Sequence, residues 1–164
     1  MRNELIFEKE YKLDKVLSCI YCHDDILKYD ENVEKYYYLP QINAKSYGLS
    51  YYKNKKSLTV SSRDFVDKTF SFYHNDKFYK FSCSVPNSEE IIDVPDYYTV
   101  RAETLLSAAI CERLEDGRIR YIQLTQCDLK MNVPSFMMNR YIPTATTTWY
   151  NNVLNHYKKC YSDK

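Results

Sequence analysis

Residues 65–84 read FVDKTFSFYHNDKFYKFSCS, and this stretch decides the fold class. Aromatic or other apolar residues alternate with polar ones on both sides of His74-Asn75-Asp76, a sequence typical of tight turns. The stretch therefore predicts two strands, residues 65–73 and 77–84, that pair as an antiparallel hairpin.

The same period of two continues outside this hairpin. The other predicted strands are residues 3–8, 33–39, 46–53, 98–112 and 119–129. The last two are separated by Glu115-Asp116-Gly117, which favours a turn, whereas residues 86–96 contain Pro95 and several acids and predict a long connection. Because neighbouring strands are joined by short polar segments, the sheet is predicted to be mainly antiparallel.

Two segments have the spacing of helices. From Leu13 to about Asp30, apolar residues recur every three or four positions, which predicts one helix. After Pro134, a stripe of apolar residues at helical spacing predicts a long amphipathic helix that ends the chain, with Pro143 expected to kink or interrupt it. The order strand, helix, six strands and long helix indicates an α+β domain.

Length and charge narrow the class of protein further. A chain of 164 residues is the size of one domain, so residues 1–164 are predicted to form a single unit. With 23 Lys plus Arg against 22 Asp plus Glu, the net charge is +1, which disfavours a nucleic-acid-binding protein. No apolar run has the length of a membrane span or a signal peptide, so we expect a cytoplasmic protein whose six cysteines are free thiols.

Several short motifs resemble those of the START (StAR-related lipid-transfer) family, in the same order. They are Tyr29-Asp30, Ser62-Arg63-Asp64-Phe65-Val66, Val100-Arg101-Ala102-Glu103, Gln126-Cys127-Asp128-Leu129-Lys130 followed by Val133-Pro134, and Phe136-Met137-Met138-Asn139. Met131 departs from the pattern, since the family usually has Gly there. No counterpart of the family's first helix and first two strands precedes residues 3–8, so we expect a fragment of a longer protein. In a complete chain, strand 3–8 would be an open edge on which a second copy could dimerise.

The resemblance implies a helix-grip fold, in which a curved antiparallel sheet wraps around the long C-terminal helix and encloses a tunnel for one lipid. It implies a protein without cofactor or metal that is not an enzyme. Such a protein transfers a lipid between membranes and docks transiently on their surfaces as a peripheral protein. Shielding about sixteen methylenes from water is worth roughly 13 kcal/mol, so a carrier needs a closed apolar interior. Two alternatives stay open: a lipid-sensing regulatory module of a larger protein, and a helix-grip enzyme of the polyketide-cyclase type with Glu103 as its acid.

The resemblance also suggests where the lipid binds. The aromatic residues that cage choline in phosphatidylcholine carriers fall on Tyr52, Phe65 and Leu105, two of which are aromatic here. The charged residues that meet a phosphate or a sterol in other members are absent. A phospholipid is favoured over a sterol because Tyr52, Phe65 and Tyr121 supply aromatic and hydroxyl surface. The predicted lipid-binding set is Tyr52, Phe65, Arg101, Glu103, Leu105, Ser107, Tyr121, Asn139, Ile142 and Thr146.

Two parts of this site have simpler interpretations. Strand alternation places Arg101, Glu103, Leu105 and Ser107 on one face, where the two charges bind a ligand or, alternatively, form an ion pair or remain solvated. The resemblance makes the loop at residues 85–97 a gate that contacts the membrane through Ile91, Ile92 and Val94. Alternatively, these aliphatic side chains pack at the edge of the core.

The segment Cys19-Ile20-Tyr21-Cys22-His23 matches short haem-attachment and dithiol motifs. Its predicted position in the middle of a helix, with Cys19 on the apolar stripe, favours core packing over a haem, redox or zinc site. Neither His74 nor His156 has a Ser or Cys nucleophile that the sequence singles out, so a hydrolase is disfavoured.

Overall fold

The computed structural model describes residues 1–44, 47–56, 60–132 and 135–161, and for residues 40–44 and 135–141 it describes the backbone alone. The elements are β1 Arg2–Phe7, α1 Leu13–Tyr21, α2 His23–Tyr29, β2 Val33–Ala44, β3 Tyr47–Asn54, β4 Ser62–His74, β5 Lys77–Ser84, a 3-10 turn Ser88–Glu90, β6 Thr99–Arg101, β7 Glu103–Arg113, β8 Ile119–Asp128 and α3 Ser135–Tyr161. The predicted α+β order is confirmed. Residues 133 and 134, where the last helix was expected to begin, lie outside the described residues.

The predicted hairpin at residues 65–84 forms between β4 and β5, with Phe70 opposite Phe81 and His74 opposite Lys77. Asn75 and Asp76 make its turn with φ angles of 48° and 58°, a left-handed conformation that Asn and Asp tolerate better than most residues. The alternating pattern and the turn residues therefore act together to fix this register.

Two predicted elements are divided in the structure. The helix expected from Leu13 to Asp30 breaks at Cys22, whose ψ of 120° is extended, so α1 and α2 are separate. The strand expected at residues 98–112 is also two strands, because β6 pairs in parallel with β4 while β7 pairs with β5 and β8. Pro143 lies within α3 without ending it.

Among the described residues the sheet has eight strands, with the path β1-β8-β7-β5-β4-β3-β2 and β6 beside β4. All pairs on that path are antiparallel. The strand β1 pairs with β8 on one side and stands at one end of the path.

The sheet has one face covered by helices, which we call the inner face. Its core joins Phe7, Cys111 and Tyr121 of the sheet to Val16 of α1 and Val153 of α3, all of them almost fully buried. The opposite face, which we call the outer face, has a smaller cluster of Leu39, Leu49, Tyr51 and Val66. Within the described ranges, no helix is both long and apolar enough to cross a membrane.

Candidate functional site

The inner face beyond the main core is unusually polar. Strand alternation from the core residue Phe78 places Lys80, Ser82 and Ser84 of β5 on this face. Their partners on β4 are Ser71, Thr69 and Asp67 respectively. Side chains of this kind normally mark the solvent side of a sheet, whereas here they face the helices.

The polar side chains form three parallel rows across the strands, about 7 Å apart along each strand. The lysine row contains Asn3, Gln123, Ala109, Lys80 and Ser71; the hydroxyl row contains Thr125, Ser107, Ser82 and Thr69; the acid row contains Cys127, Thr104, Ser84, Asp67 and Ser50. The main core lies beyond the lysine row, and aromatic rings lie beyond the acid row.

The acid row is internally hydrogen-bonded around Asp67. Ser84 Oγ donates to Asp67 Oδ1 and Thr104 Oγ1 donates to Asp67 Oδ2, each at 2.8 Å. Burial raises the pKa of Asp67, and these two hydrogen bonds oppose the rise. In the hydroxyl row, Thr69 and Ser82 are hydrogen-bonded at 3.0 Å.

The aromatic side chains beyond the acid row include two of the predicted site residues. Tyr52 lies opposite Phe65, with ring centroids 5.9 Å apart, and Tyr36 lies 6.0 Å from Tyr52. Tyr38 and His23 continue this group, with ring centroids 6.1 Å apart. Clustered ring faces of this kind can bind a quaternary ammonium.

The helix α3 packs against the inner face of the sheet at β1 and β8. Its Trp149 ring lies 6.1 Å from the ring of Tyr121, and Tyr150 Oη donates to the carbonyl oxygen of Ile6 at 2.7 Å. Thr146 Oγ1 donates to Asn3 Oδ1 at 3.4 Å, so this turn of α3 lies above one end of the lysine row. The predicted site residue Ile142 is partly buried, and the side chain of Asn139 lies outside the described residues.

The prediction that Arg101, Glu103, Leu105 and Ser107 share one face is wrong. Leu105 is an extra residue in a β-bulge, since Thr104 pairs with Cys127 and Leu106 pairs with Gln126. Arg101 belongs to the separate strand β6. The bulge shifts the alternation, so Ser107 lies on the inner face while Leu105 is 51% exposed.

Arg101 is bound on the outer face. Its guanidinium donates from Nε to Asp64 Oδ1 at 2.8 Å and from Nη2 to Asp64 Oδ2 at 2.9 Å, and Asp64 is completely buried. It also donates to Ser88 Oγ and to the carbonyl oxygen of Ile92. Glu103 pairs instead with Lys130 at 2.8 Å near the surface. Both charges are therefore in ion pairs, although not with each other.

The loop that was predicted to be a gate packs on the outer face. Ile91 and Ile92 contact the cluster of Leu39, Leu49, Tyr51 and Val66, and Val94 is partly buried. This arrangement matches the alternative interpretation of these aliphatic side chains. A gating role would require them to leave that cluster.

The remaining predicted residue, Tyr121, lies at the boundary between the core and the lysine row. It is 1% exposed, and its hydroxyl accepts a hydrogen bond from Tyr21 Oη at 3.3 Å. Burial raises the pKa of both phenols, so both stay protonated at neutral pH. Tyr121 is therefore part of the packed core, and its hydroxyl is already bonded to Tyr21.

Outside the inner face, α2 and α3 enclose a surface pocket of about 390 Å³ beside His156. His156 Nε2 lies 3.2 Å from Asp25 Oδ1 and 3.6 Å from Cys160 Sγ, a cysteine that the sequence did not single out. Cys19 is completely buried in α1, and burial raises its pKa to about 12, which agrees with core packing of this cysteine. Cys22, expected in the middle of a helix, lies instead at the break between α1 and α2 and is partly buried. Among the described residues, no cluster of His, Cys, Asp and Glu has the arrangement of a metal site.

The Asp25 carboxylate should stabilise the contact between α2 and α3 in a pH-dependent way. Burial alone would raise the pKa of Asp25, but hydrogen bonds from His156, Lys28 and Ser18 lower it below the ordinary value of 3.8. Its stabilisation is therefore present above pH 3.8 and is lost as the pH falls through the lowered value. We expect Asp25→Asn to reduce the free energy of unfolding by about 1–3 kcal/mol at pH 7. Urea unfolding at pH 7, 5 and 3 should show this difference shrinking at pH 3; a constant difference would contradict the assignment.

We compared this architecture with solved structures, and several StAR-related lipid transfer domains match it. Over 96% of its length the chain matches human StAR-related lipid transfer protein 5, with a TM-score of 0.81 and 22% identity. The chain has the START fold. It also matches human STARD10 over 98% of its length, with a TM-score of 0.78 and 15% identity. The third match is a STAR-related lipid transfer protein from Xanthomonas axonopodis, over 96% of the chain, with a TM-score of 0.68 and 15% identity.

The resemblance to START domains and the helix-grip fold class are thus confirmed. The chain spans 74% of the first of these START structures, 66% of the second and 84% of the third. No family model and no curated protein matches the sequence.

Proposed function

We propose that residues 1–164 form one START domain. We propose that this domain binds one lipid between the inner face of its sheet and α3. The observation that carries this proposal is the polar inner face: Lys80, Asp67 and the hydroxyl row lie on the helix-facing side of the sheet, where a protein with no ligand would place packed apolar side chains. The START fold supports it, since the matched structures are described as lipid transfer proteins.

Within this proposal, a phospholipid fits better than a sterol. Tyr52, Phe65 and Tyr36 form an aromatic group beside the acid row, an arrangement suited to a quaternary ammonium next to a carboxylate. Ser107, Tyr121, Ile142 and Thr146 line the rest of the proposed site. The substitutions Tyr52→Leu and Phe65→Leu should each weaken the binding of choline lipids and leave the binding of other lipids unchanged.

The single tryptophan gives a direct test of lipid binding. Because Trp149 lies on the sheet-facing side of α3 near Tyr121, a lipid with brominated acyl chains should quench its fluorescence, whereas the unbrominated lipid should not. We expect saturable quenching with brominated phosphatidylcholine and a weaker response with a brominated sterol. The control is Trp149→Phe, which should abolish the signal. Absence of quenching by every brominated lipid would contradict the proposal.

We propose that the protein transfers its lipid between membranes and is not an enzyme, docking on them transiently with Ile91, Ile92 and Val94 as the contact. Glu103, the residue that a cyclase would need, is about half exposed and paired with Lys130, which argues against buried acid-base chemistry. The second candidate is a lipid-sensing module of a larger protein. Movement of fluorescent lipid between vesicles separates the two, because a sensing module binds lipid without moving it.

A further inference from the structure

Lys80 is a positive charge on the inner face without a carboxylate partner. The part of the chain that the structure describes contains no hydrogen bond and no salt bridge to its ammonium. The ammonium instead makes a cation–π contact with Tyr21 of α1, whose ring centroid lies 4.2 Å from Lys80 Nζ. Burial lowers the pKa of Lys80 to about 8, so this ammonium has lost much of its hydration.

The nearest acid on the same face does not neutralise Lys80. Asp67 lies opposite Ser84, and Lys80 lies opposite Ser71, so the two positions are four residues apart along β4. The Asp67 charge opposes part of the lowering of the Lys80 pKa, but the two groups form no salt bridge. The Asp67 carboxylate already accepts hydrogen bonds from Ser84 and Thr104. Asp67 is therefore hydrogen-bonded within the acid row, whereas among the described residues the direct contact of the Lys80 ammonium is with the Tyr21 ring.

A neighbouring hydroxyl is also without a partner. Thr125 Oγ1 in the hydroxyl row is buried and makes no hydrogen bond within the described residues. Ser107 and Ser82 lie between Thr125 and Thr69 in that row. The hydroxyl row is the next row to the lysine row, since Ser82 is two residues after Lys80 on β5. A partly buried ammonium beside a row of hydroxyl donors is a favourable environment for an anionic oxygen.

We infer that Lys80 and the hydroxyl row bind the anionic group, carboxylate or phosphate, of an amphiphilic ligand whose head lies inside the domain. This inference rests on the proposed lipid binding and specifies its ligand class. Among the described residues, the charged groups facing this position are Lys80 itself and Asp67, whose charge acts on Lys80 without a salt bridge. The phenol of Tyr21 is neutral because burial raises its pKa. A ligand anion would supply the contacting counter-charge that the described residues do not.

The test measures binding of three ligands with the same oleoyl chain by the change in Trp149 fluorescence: oleate, oleoyl-lysophosphatidate and neutral monoolein. We expect the anionic ligands to bind at least tenfold more tightly than monoolein, and Lys80→Met to remove that preference while leaving monoolein binding unchanged. If only oleate shows the preference, the anionic group is a carboxylate. If only lysophosphatidate shows it, the anionic group is a phosphate.

Two further variants separate charge recognition from folding. Lys80→Arg keeps a positive charge and should retain the preference. For the unmodified protein we expect affinity for the anionic ligands to fall as the pH rises through about 8, and Lys80→Arg should abolish that fall. Lys68→Met removes a lysine from the outer face of β4 and is the matched control, which should behave like the unmodified protein.

The outcomes distinguish this inference from the proposed function. Equal affinity for all three ligands, unchanged by Lys80→Met, would overturn the inference and leave lipid binding intact. Failure of every ligand, together with the absence of quenching by brominated lipids, would overturn both.

Discussion

Replacing Arg101 by methionine should lower the free energy of unfolding by about 3–5 kcal/mol, because it leaves the Asp64 carboxylate buried without its partner. Asp64 is 0% exposed, and its two oxygens accept both hydrogen bonds of a bidentate pair. Tyr51 Oη also donates to Asp64 Oδ2 at 3.2 Å, but one neutral donor cannot replace a guanidinium. Most single domains have only about 5–15 kcal/mol of stability, so urea unfolding should detect this change easily.

The same substitution should also loosen the loop after β5. Arg101 donates to Ser88 Oγ at 2.9 Å and to the carbonyl oxygen of Ile92 at 3.1 Å, so it holds the loop against the outer face. Limited proteolysis should cut the variant faster between residues 85 and 98. The control is Arg118→Met: its pair with Asp116 is about 40% exposed, so it should cost no more than about 1 kcal/mol. An effect of Arg101→Met as small as that of the control would refute a structural role for the buried pair.

The sequence predicted most strands and the final helix because their periodicity is strong and local. It did not predict the bulge at Leu105, because a one-residue insertion in a strand leaves no local signal when both neighbours are apolar or small. As a result Arg101 was predicted on the same face as Ser107, whereas the structure places the two on opposite faces. The pairing of Arg101 with Asp64 spans 37 residues and could not be inferred from spacing.

The inner face was missed for a different reason. Residues 78–84 alternate between polar and apolar, and the polar positions would ordinarily face water. The structure reverses this: Lys80, Ser82 and Ser84 face the helices, while Phe81 is 39% exposed on the outer face beside Phe70. Alternation identifies two sets of residues but does not say which set is covered. The core position of Phe78 would have settled the question, but only the tertiary structure identifies it as core.

Truncating Phe7 to alanine should destabilise the domain by about 3–5 kcal/mol, which is the usual cost of removing a buried aromatic side chain. Phe7 ends β1 and is 1% exposed, with its ring centroid 5.9 Å from that of Tyr11 and 5.3 Å from that of Tyr150. It joins the first strand, the segment before α1 and the last helix. We expect the loss in urea unfolding and also faster amide exchange along β1, because among the described residues β1 pairs with β8 alone.

Two substitutions calibrate this result. Phe7→Leu keeps most of the apolar volume and should cost clearly less, whereas Tyr73→Ala removes a ring that is 62% exposed and should have little effect. Release of β1 would expose the edge of β8, so we expect Phe7→Ala to self-associate at high concentration more readily than the unmodified protein. If Phe7→Ala and Phe7→Leu lose the same stability, cavity formation is not the cause. If neither changes β1 exchange, Phe7 does not anchor that strand to α3.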